Sequence, residues 1–143
     1  MAQESANQTT LRRVMRAYTK GDLAPLMDIV TDDVVWDSNA QPSQFRFGGR
    51  YVGQYGLKEA LSLIASEFLI SRYDITELTG DGDVVWAMSD VEVIERHGSK
   101  KARIKLVNRW QFCDGKIASC TEFFDTAGTL LQLDRITTRA AQA

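Results

Sequence analysis

Apolar residues in the first third of the chain recur at helical spacing. The first set, at i, i+3, i+4 and i+7, consists of Leu11, Val14, Met15 and Tyr18. This spacing predicts an amphipathic helix, which Gly21 is expected to end because glycine readily adopts the left-handed conformation. A second helix is predicted after Asp22, with Pro25 in its first turn, where a missing N–H does little harm. The apolar stripe between residues 57 and 69 predicts a third helix.

After residue 69 the pattern changes to segments rich in β-branched and aromatic residues. The segments are 70–79, 83–96, 102–113 and 116–125. Asp114-Gly115 separates the last two and is typical of a two-residue hairpin turn. An earlier short strand is predicted at 34–36, and residues 38–56 are expected to form a loop. Helices followed by a run of strands predict an α+β fold, with helices covering one face of an antiparallel sheet.

Alternation within residues 102–113 separates two faces of one strand. The more apolar face, predicted to be buried, consists of Ile104, Leu106, Asn108, Trp110 and Phe112. If the turn has two residues, Phe112 lies opposite Ile117, Trp110 opposite Ser119 and Asn108 opposite Thr121. An unpartnered buried amide costs about 1–3 kcal/mol. Asn108 is therefore expected to bond Thr121, a neighbour such as Ser89 or Asp90 (Ser89 is favoured), water or a ligand, and a satisfied core amide is an equal alternative.

Two carboxylates stand at the ends of predicted strands. Asp37 directly follows the 34–36 strand, and there it is either a solvated turn residue or a general base at a partly apolar site. Asp125 follows the last strand, where it is expected to cap a short tail helix through Leu130, Leu131 and Leu133.

The opposite sheet face mixes aromatic and charged residues. Arg103, Lys105 and Arg109 lie there, and a four-residue turn would pair them with Asp90 and Glu92 of the neighbouring strand. Trp86 and Met88 share this face. Such a surface often meets a second copy of itself, so a homodimer through the outer sheet face is expected.

Composition narrows the possible partners. The 143 residues suit a single domain, 1–143, and the net charge of −2 offers no basic excess for nucleic acid. No apolar run approaches the ~20 residues of a membrane span, and the N-terminus lacks a signal-peptide pattern, so a cytoplasmic protein is expected. One histidine and two cysteines give no metal-ligand spacing, and no metal is expected.

Several local patterns now combine in one order along the chain. Lys20–Leu23 leads to Thr31–Trp36, Arg46–Gly53 precedes the third helix, Asn108–Phe112 runs into Asp114–Ile117, and Phe123–Asp125 closes the sheet. On these residues the chain resembles the nuclear-transport-factor-2-like (NTF2-like) superfamily, in its ketosteroid isomerase and SnoaL-like (polyketide cyclase) branch. The resemblance covers about residues 8–135.

The resemblance implies a cone of three helices on a curved mixed or antiparallel sheet, around an apolar pocket. Asp37 occupies the place of the isomerase base, and Asn108 aligns with an oxyanion-donating aspartate. The position of the isomerase tyrosine is Val14 here, and Tyr18 lies one turn later. Trp36, Trp110 and Thr121 are further expected ligand-binding residues.

These residues favour an isomerase- or cyclase-type enzyme that acts on a small apolar carbonyl compound. Asp37 would remove a proton α to the carbonyl, and Asn108, with Tyr18, would donate to the enolate oxygen. No metal or organic cofactor is required. The alternative is a non-catalytic ligand-binding or dimeric interaction module.

Overall fold

The computed structural model of the protein describes residues 4–136, which form four helices and six strands. In chain order these are α1 (Ala6–Thr19), α2 (Ala24–Ile29), β1 (Val30–Ser38), β2 (Gly49–Val52), α3 (Gly53–Glu67), β3 (Phe68–Thr79), β4 (Val84–Glu95), β5 (Lys101–Cys113), β6 (Lys116–Phe123) and α4 (Thr126–Gln132).

All six strands belong to one mixed sheet in the order β2-β1-β6-β5-β4-β3. The pairing of β1 with β6 is parallel, and the other four pairings are antiparallel. The predicted α+β class is confirmed. The predicted loop 38–56 is corrected, because Gly49–Val52 pairs with β1 as an edge strand.

The helix ends follow local capping chemistry. The Ser5 side chain accepts a hydrogen bond from the Gln8 N–H, so α1 begins before its apolar stripe. Gly21 has φ +87°, as its predicted role after α1 requires. The third helix ends earlier than predicted, since Phe68 already has extended backbone and begins β3.

The β5–β6 hairpin has the predicted two-residue turn, but its register differs from the prediction. Asp114 and Gly115 have φ +50° and +78°, and Cys113 pairs with Lys116. A bulge then leaves Ala118 as an extra residue in β6, because Phe112 pairs with Ile117 while Gln111 pairs with Ser119. Every later residue of β6 is therefore shifted by one position relative to β5.

This shift corrects two predicted pairs. Trp110 lies opposite Cys120 instead of Ser119, and Asn108 lies opposite Glu122 instead of Thr121. Thr121 instead pairs with Arg109, on the outer face of the sheet. The bulge thus decides which side chains of β6 face the helices.

The helices cover one face of the sheet and enclose two apolar clusters. One contains Leu11, Val14, Trp36 and Trp110, and the other contains Phe45 and Phe124 together with inner residues of β4 and β5. Tyr73 and Ile64 pack against both clusters. A cavity lies where the two clusters meet. Within residues 4–136, no helix is long and apolar enough to span a membrane.

Candidate active site

The cavity is lined almost entirely by apolar side chains. The cavity has a volume of about 80 Å³, which is room for several waters. Phe45 and Phe47, from the segment between β1 and β2, form part of its wall, and their rings lie 5.5 Å and 6.5 Å from that of Phe124. Among residues 4–136, Glu122 is the one charged side chain in the lining.

The β6 bulge turns Glu122 inward. Cys120, Glu122 and Phe124 alternate as buried residues after it, and the side chain of Glu122 faces the cavity. Only 7% of Glu122 is exposed. Its backbone carbonyl accepts a hydrogen bond of 3.0 Å from the Asn39 N–H, which joins the end of β6 to the residue after β1.

Burial raises the pKa of Glu122 to about 7, and hydrogen bonding from Asn108, its neighbour across the strands, opposes this rise. Near neutral pH the carboxyl group is therefore present in both protonation states. A group with this pKa can accept and return a proton at physiological pH, which is what general acid–base catalysis requires.

Two phenols share the cavity with Glu122. Tyr18 comes from the inward stripe of α1, and Tyr73 comes from β3. Burial, and then the charge of Glu122, raises the pKa of Tyr18. The same two causes raise the pKa of Tyr73, with smaller contributions from Cys120 and Tyr18, while the nearby hydroxyl of Ser89 opposes the rise. Both phenols therefore stay protonated at physiological pH and can donate hydrogen bonds.

A polar layer lies behind Glu122. Asn108 is 1% exposed, and its Nδ2 donates to the Cys120 Sγ over 3.4 Å. Burial, followed by the charge of Glu122, raises the pKa of the Cys120 thiol, so it stays neutral. Within residues 4–136, Asn108 Oδ1, Ser89 Oγ and Trp36 Nε1 have no hydrogen-bond partner.

Asp37 and Thr121 do not reach this site, which corrects their expected positions. From Val34 onward the buried residues of β1 are Val34, Trp36 and Ser38, so the alternation of the strand turns Asp37 to the other face. There Asp37 pairs with Thr121 across the β1–β6 ladder. The expectation that Asp37 and Asn108 open into one cavity is therefore not met.

The other predicted residues divide between the cavity and the core. Tyr18 and Trp36 line the cavity, as expected of ligand-binding residues. Trp110 lies in the core instead, with its ring 6.2 Å from that of Trp36 in an edge-on arrangement. Asn108 faces the interior with Ser89, which was favoured over Asp90, but it lies outside the cavity lining.

Sequence reasoning missed Glu122 and Tyr73. Glu122 belongs to a correctly predicted strand, but an unbroken ladder from the turn places Thr121 inside and Glu122 outside. One signal was available, because Cys120, Glu122 and Phe124 form an alternating set in which a glutamate stands between two residue types that are usually buried. Within residues 4–136, no group of three potential ligands drawn from His, Cys, Asp and Glu could hold a metal ion.

A sequence model of the SnoaL-like domain matches residues 11–120, which is most of the chain. The chain belongs to the SnoaL-like family. The resemblance to the NTF2-like superfamily is thereby confirmed. No curated protein matches this SnoaL-like chain.

Solved structures share the SnoaL-like chain's fold at low sequence identity. An NTF2-like protein of unknown function from Burkholderia pseudomallei K96243 has a TM-score of 0.81 and 22% identity, and the match covers 90% of this chain and 97% of that one. TerC, co-crystallised with polyporic acid, also gives 0.81 and 22%, over 91% and 99%. A putative isomerase from Rhodopseudomonas palustris gives 0.79 and 20%, over 92% and 98%.

Proposed function

We propose that the protein is an isomerase- or cyclase-type enzyme that moves a proton on a small apolar carbonyl compound, with Glu122 as its base. One observation carries this proposal: the cavity lining holds a buried carboxyl group with a pKa of about 7 beside the two protonated phenols of Tyr18 and Tyr73. Perturbed carboxyl groups in enclosed apolar sites are typical of acid–base catalysts.

The proposed chemistry begins with a ketone in the cavity. The Glu122 carboxylate removes a proton from the carbon next to the carbonyl group, and the C–H electrons shift to make the carbonyl oxygen an enolate. The phenols of Tyr18 and Tyr73 donate hydrogen bonds to this oxygen. In a β,γ-unsaturated ketone the enolate is a dienolate, and protonated Glu122 returns the proton to its γ carbon, which completes an isomerisation. In a diketone the enolate carbon instead attacks the second carbonyl carbon of the same molecule, and the alkoxide formed there takes the proton from Glu122, which closes a ring.

Typical magnitudes suit this division of roles. A positioned base contributes about 10²–10⁴-fold, and each preorganised oxyanion donor about 10²–10³-fold. Asn108 takes a different role from the expected one. Because it lies across from Glu122 and behind the lining, it tunes and holds the base instead of binding the enolate oxygen.

The fold relatives support a ligand-binding interior. TerC was co-crystallised with polyporic acid, and the R. palustris protein is described as a putative isomerase. Sequence identities of 20–22% support a shared fold but not a shared reaction, so the proposal depends on the side chains of this chain.

The proposal is tested by exchange of α-protons for deuterium in a panel of cyclic ketones, followed by NMR in D₂O. We expect Glu122→Gln to lower the catalysed exchange rate by about 10²–10⁴-fold, because the amide cannot accept the proton. We expect Asp37→Asn, on the outer face, to keep the wild-type rate. The wild-type rate should rise through pH 7 as Glu122 loses its proton.

Opposite outcomes separate the two carboxylates. Loss of exchange in folded Asp37→Asn, with normal exchange in Glu122→Gln, would return the base to Asp37. Ligand binding without exchange in the wild-type protein, for every ketone of the panel, would favour the non-catalytic module.

We also propose a homodimer through the outer sheet face. Met88, Val107 and Phe123 are successive cross-strand neighbours there, and 39% of Met88 and 43% of Phe123 are exposed. The next row along the strands holds Trp86, Arg109, Thr121 and Asp37. In a two-fold dimer this row would lie beside the apolar contact, so Asp37 would stand at the rim of the interface and away from the cavity.

A further inference from the structure

A surface groove adjoins the cavity between the end of α1, α3 and the start of β3. Tyr18, Ile64, Phe68 and Ile70 line both the groove and the cavity. One layer of side chains therefore separates the interior from the surface at this place. Tyr18, Ile64 and Ile70 are only half-buried, so rotamer changes of these three side chains can open the layer without movement of the backbone.

In the part of the chain that the structure describes, the groove lining has positively charged side chains and no negatively charged one. Its lining includes Lys20 and Arg96, and among residues 4–136 neither forms an ion pair. Arg96 is held in place at the end of α3. Its Nε donates to the backbone carbonyl of Ala65, and its backbone N–H donates to that of Glu67 over 2.9 Å.

The cavity, unlike the groove, disfavours a negatively charged group. Glu122 is the charged residue of the cavity lining, and a second anion beside it would be repelled in an apolar environment. An anionic ligand would therefore keep its charged group in the groove and place its uncharged part in the cavity.

We propose that this groove is the entrance to the cavity, and that Lys20 and Arg96 select apolar carbonyl compounds that carry a carboxylate or another anionic group. The carbonyl part rests on the proposed function, whereas the selection of anions rests on the groove alone. The apolar body passes Tyr18 and Phe68, the anion stays at the two cations, and the carbonyl group meets Glu122 and the phenols.

Two fluorescent probes with the same aromatic body test the selection. 1-Anilinonaphthalene-8-sulfonate carries a negative charge, and N-phenyl-1-naphthylamine lacks it. The full-length double variant Lys20→Gln/Arg96→Gln should bind the sulfonate roughly 5- to 20-fold more weakly, since each exposed ion pair contributes at most about a few-fold in affinity. It should bind the neutral probe as the wild type does.

The matched control is Arg50→Gln/Lys58→Gln, which removes the same charge from exposed positions on β2 and α3. This control should leave both probes unaffected. Added salt should weaken sulfonate binding to the wild type and not to the Lys20→Gln/Arg96→Gln variant. If the Lys20→Gln/Arg96→Gln variant lost affinity for both probes equally, or bound the sulfonate as the wild type does, the proposal that Lys20 and Arg96 select anionic ligands would be overturned.

The route is tested separately with Ile64→Trp, which adds bulk to the layer between groove and cavity. The association rates of both probes should fall at least several-fold. Unchanged association rates would overturn the proposal that the groove is the entrance to the cavity. Glu122→Gln should not weaken sulfonate binding, since it removes a negative charge. If Glu122→Gln keeps ketone exchange while the probe results hold, only the proposed function fails.

Discussion

At the scale of single residues, the defining feature is a carboxyl group that the fold removes from water with no ionic partner among residues 4–136. Glu122 is 7% exposed, and burial raises its pKa to about 7. The same burial keeps the phenols of Tyr18 and Tyr73 and the thiol of Cys120 in their neutral forms. One residue thus carries the electrostatic character of the whole cavity.

The burial of Glu122 should lower the free energy of unfolding as pH rises from 4.5 to about 7. The pKa of Glu122 is raised from 4.5 to about 7, so the unfolded state loses its proton first as pH rises, and stability falls between these values. We expect Glu122→Gln to gain stability relative to wild type from pH 4.5 to 8, by about 3 kcal/mol at most. Urea unfolding across this range measures it.

Glu77→Gln, at an exposed position of β3, is the control for this measurement. Its difference from wild type should stay constant over the same pH range. A constant difference for Glu122→Gln as well would contradict the raised pKa.

The sequence predicted the cavity wall better than its chemistry. Tyr18 lies on a helical stripe and Trp36 in a β-rich segment, and periodicity alone places both inside. Periodicity alone could not show which of Asp37 and Glu122 faces the cavity. The face of a strand residue follows only when alternation is counted from a residue of known orientation. For Glu122 the fixed point was the Asp114-Gly115 turn, and the bulge at Ala118 lies between them.

At the scale of elements, the sequence predicted the cap of α4 and two cross-strand ion pairs, but not the edge strand β2. Asp125 caps α4 as predicted, with its Oδ1 accepting from the Gly128 N–H over 2.9 Å. The cross-strand pairs Asp90–Lys105 and Glu92–Arg103 also formed, at 2.9 Å and 3.2 Å. By contrast β2 has four residues on the sheet edge with a mixed burial pattern, which gave no periodic signal.

The cap of α4 should affect both stability and the cavity. Asp125→Ala removes the acceptor of the Gly128 N–H, and loss of an N-cap costs about 0.5–2 kcal/mol. Because Thr129 of α4 lines the cavity, binding of the neutral naphthylamine probe should also weaken. Thermal unfolding and probe titration measure the two effects. Asp81→Ala, in the exposed β3–β4 turn, should change neither, and equal effects of both substitutions would contradict this role for the cap.

At the scale of the whole molecule, one sheet separates two surfaces of different character. The face under the helices holds Glu122, and the other face holds the apolar row of Met88, Val107 and Phe123. Such an exposed row across three neighbouring strands suits an interface between copies. Since the faces lie back to back, substitutions that test the proposed assembly should leave the proposed chemistry unchanged.

The dimer proposal predicts a change in mass. Met88→Glu/Phe123→Glu should convert the dimer to a monomer in size-exclusion chromatography with light scattering, because each substitution buries an unpaired charge at the interface. Tyr55→Glu, at a residue that is 93% exposed on α3, should leave the mass unchanged. A wild-type protein that is monomeric at high micromolar concentration would contradict the proposal.

The single extra residue in β6 also has a consequence for how such a site evolves. If Ala118 took a regular place in the ladder, the strand would bring Thr121 and Phe123 under the helices and carry Glu122 and Phe124 to the other face. Loss of the bulge with Ala118 retained would thus exchange an acid for a hydroxyl inside the cavity without altering either side chain, whereas deletion of Ala118 would keep Glu122 opposite Asn108. Insertions and deletions in this strand can redirect the chemistry of the fold, and an alignment gap misplaced by one residue would transfer the acid to the wrong position in a relative.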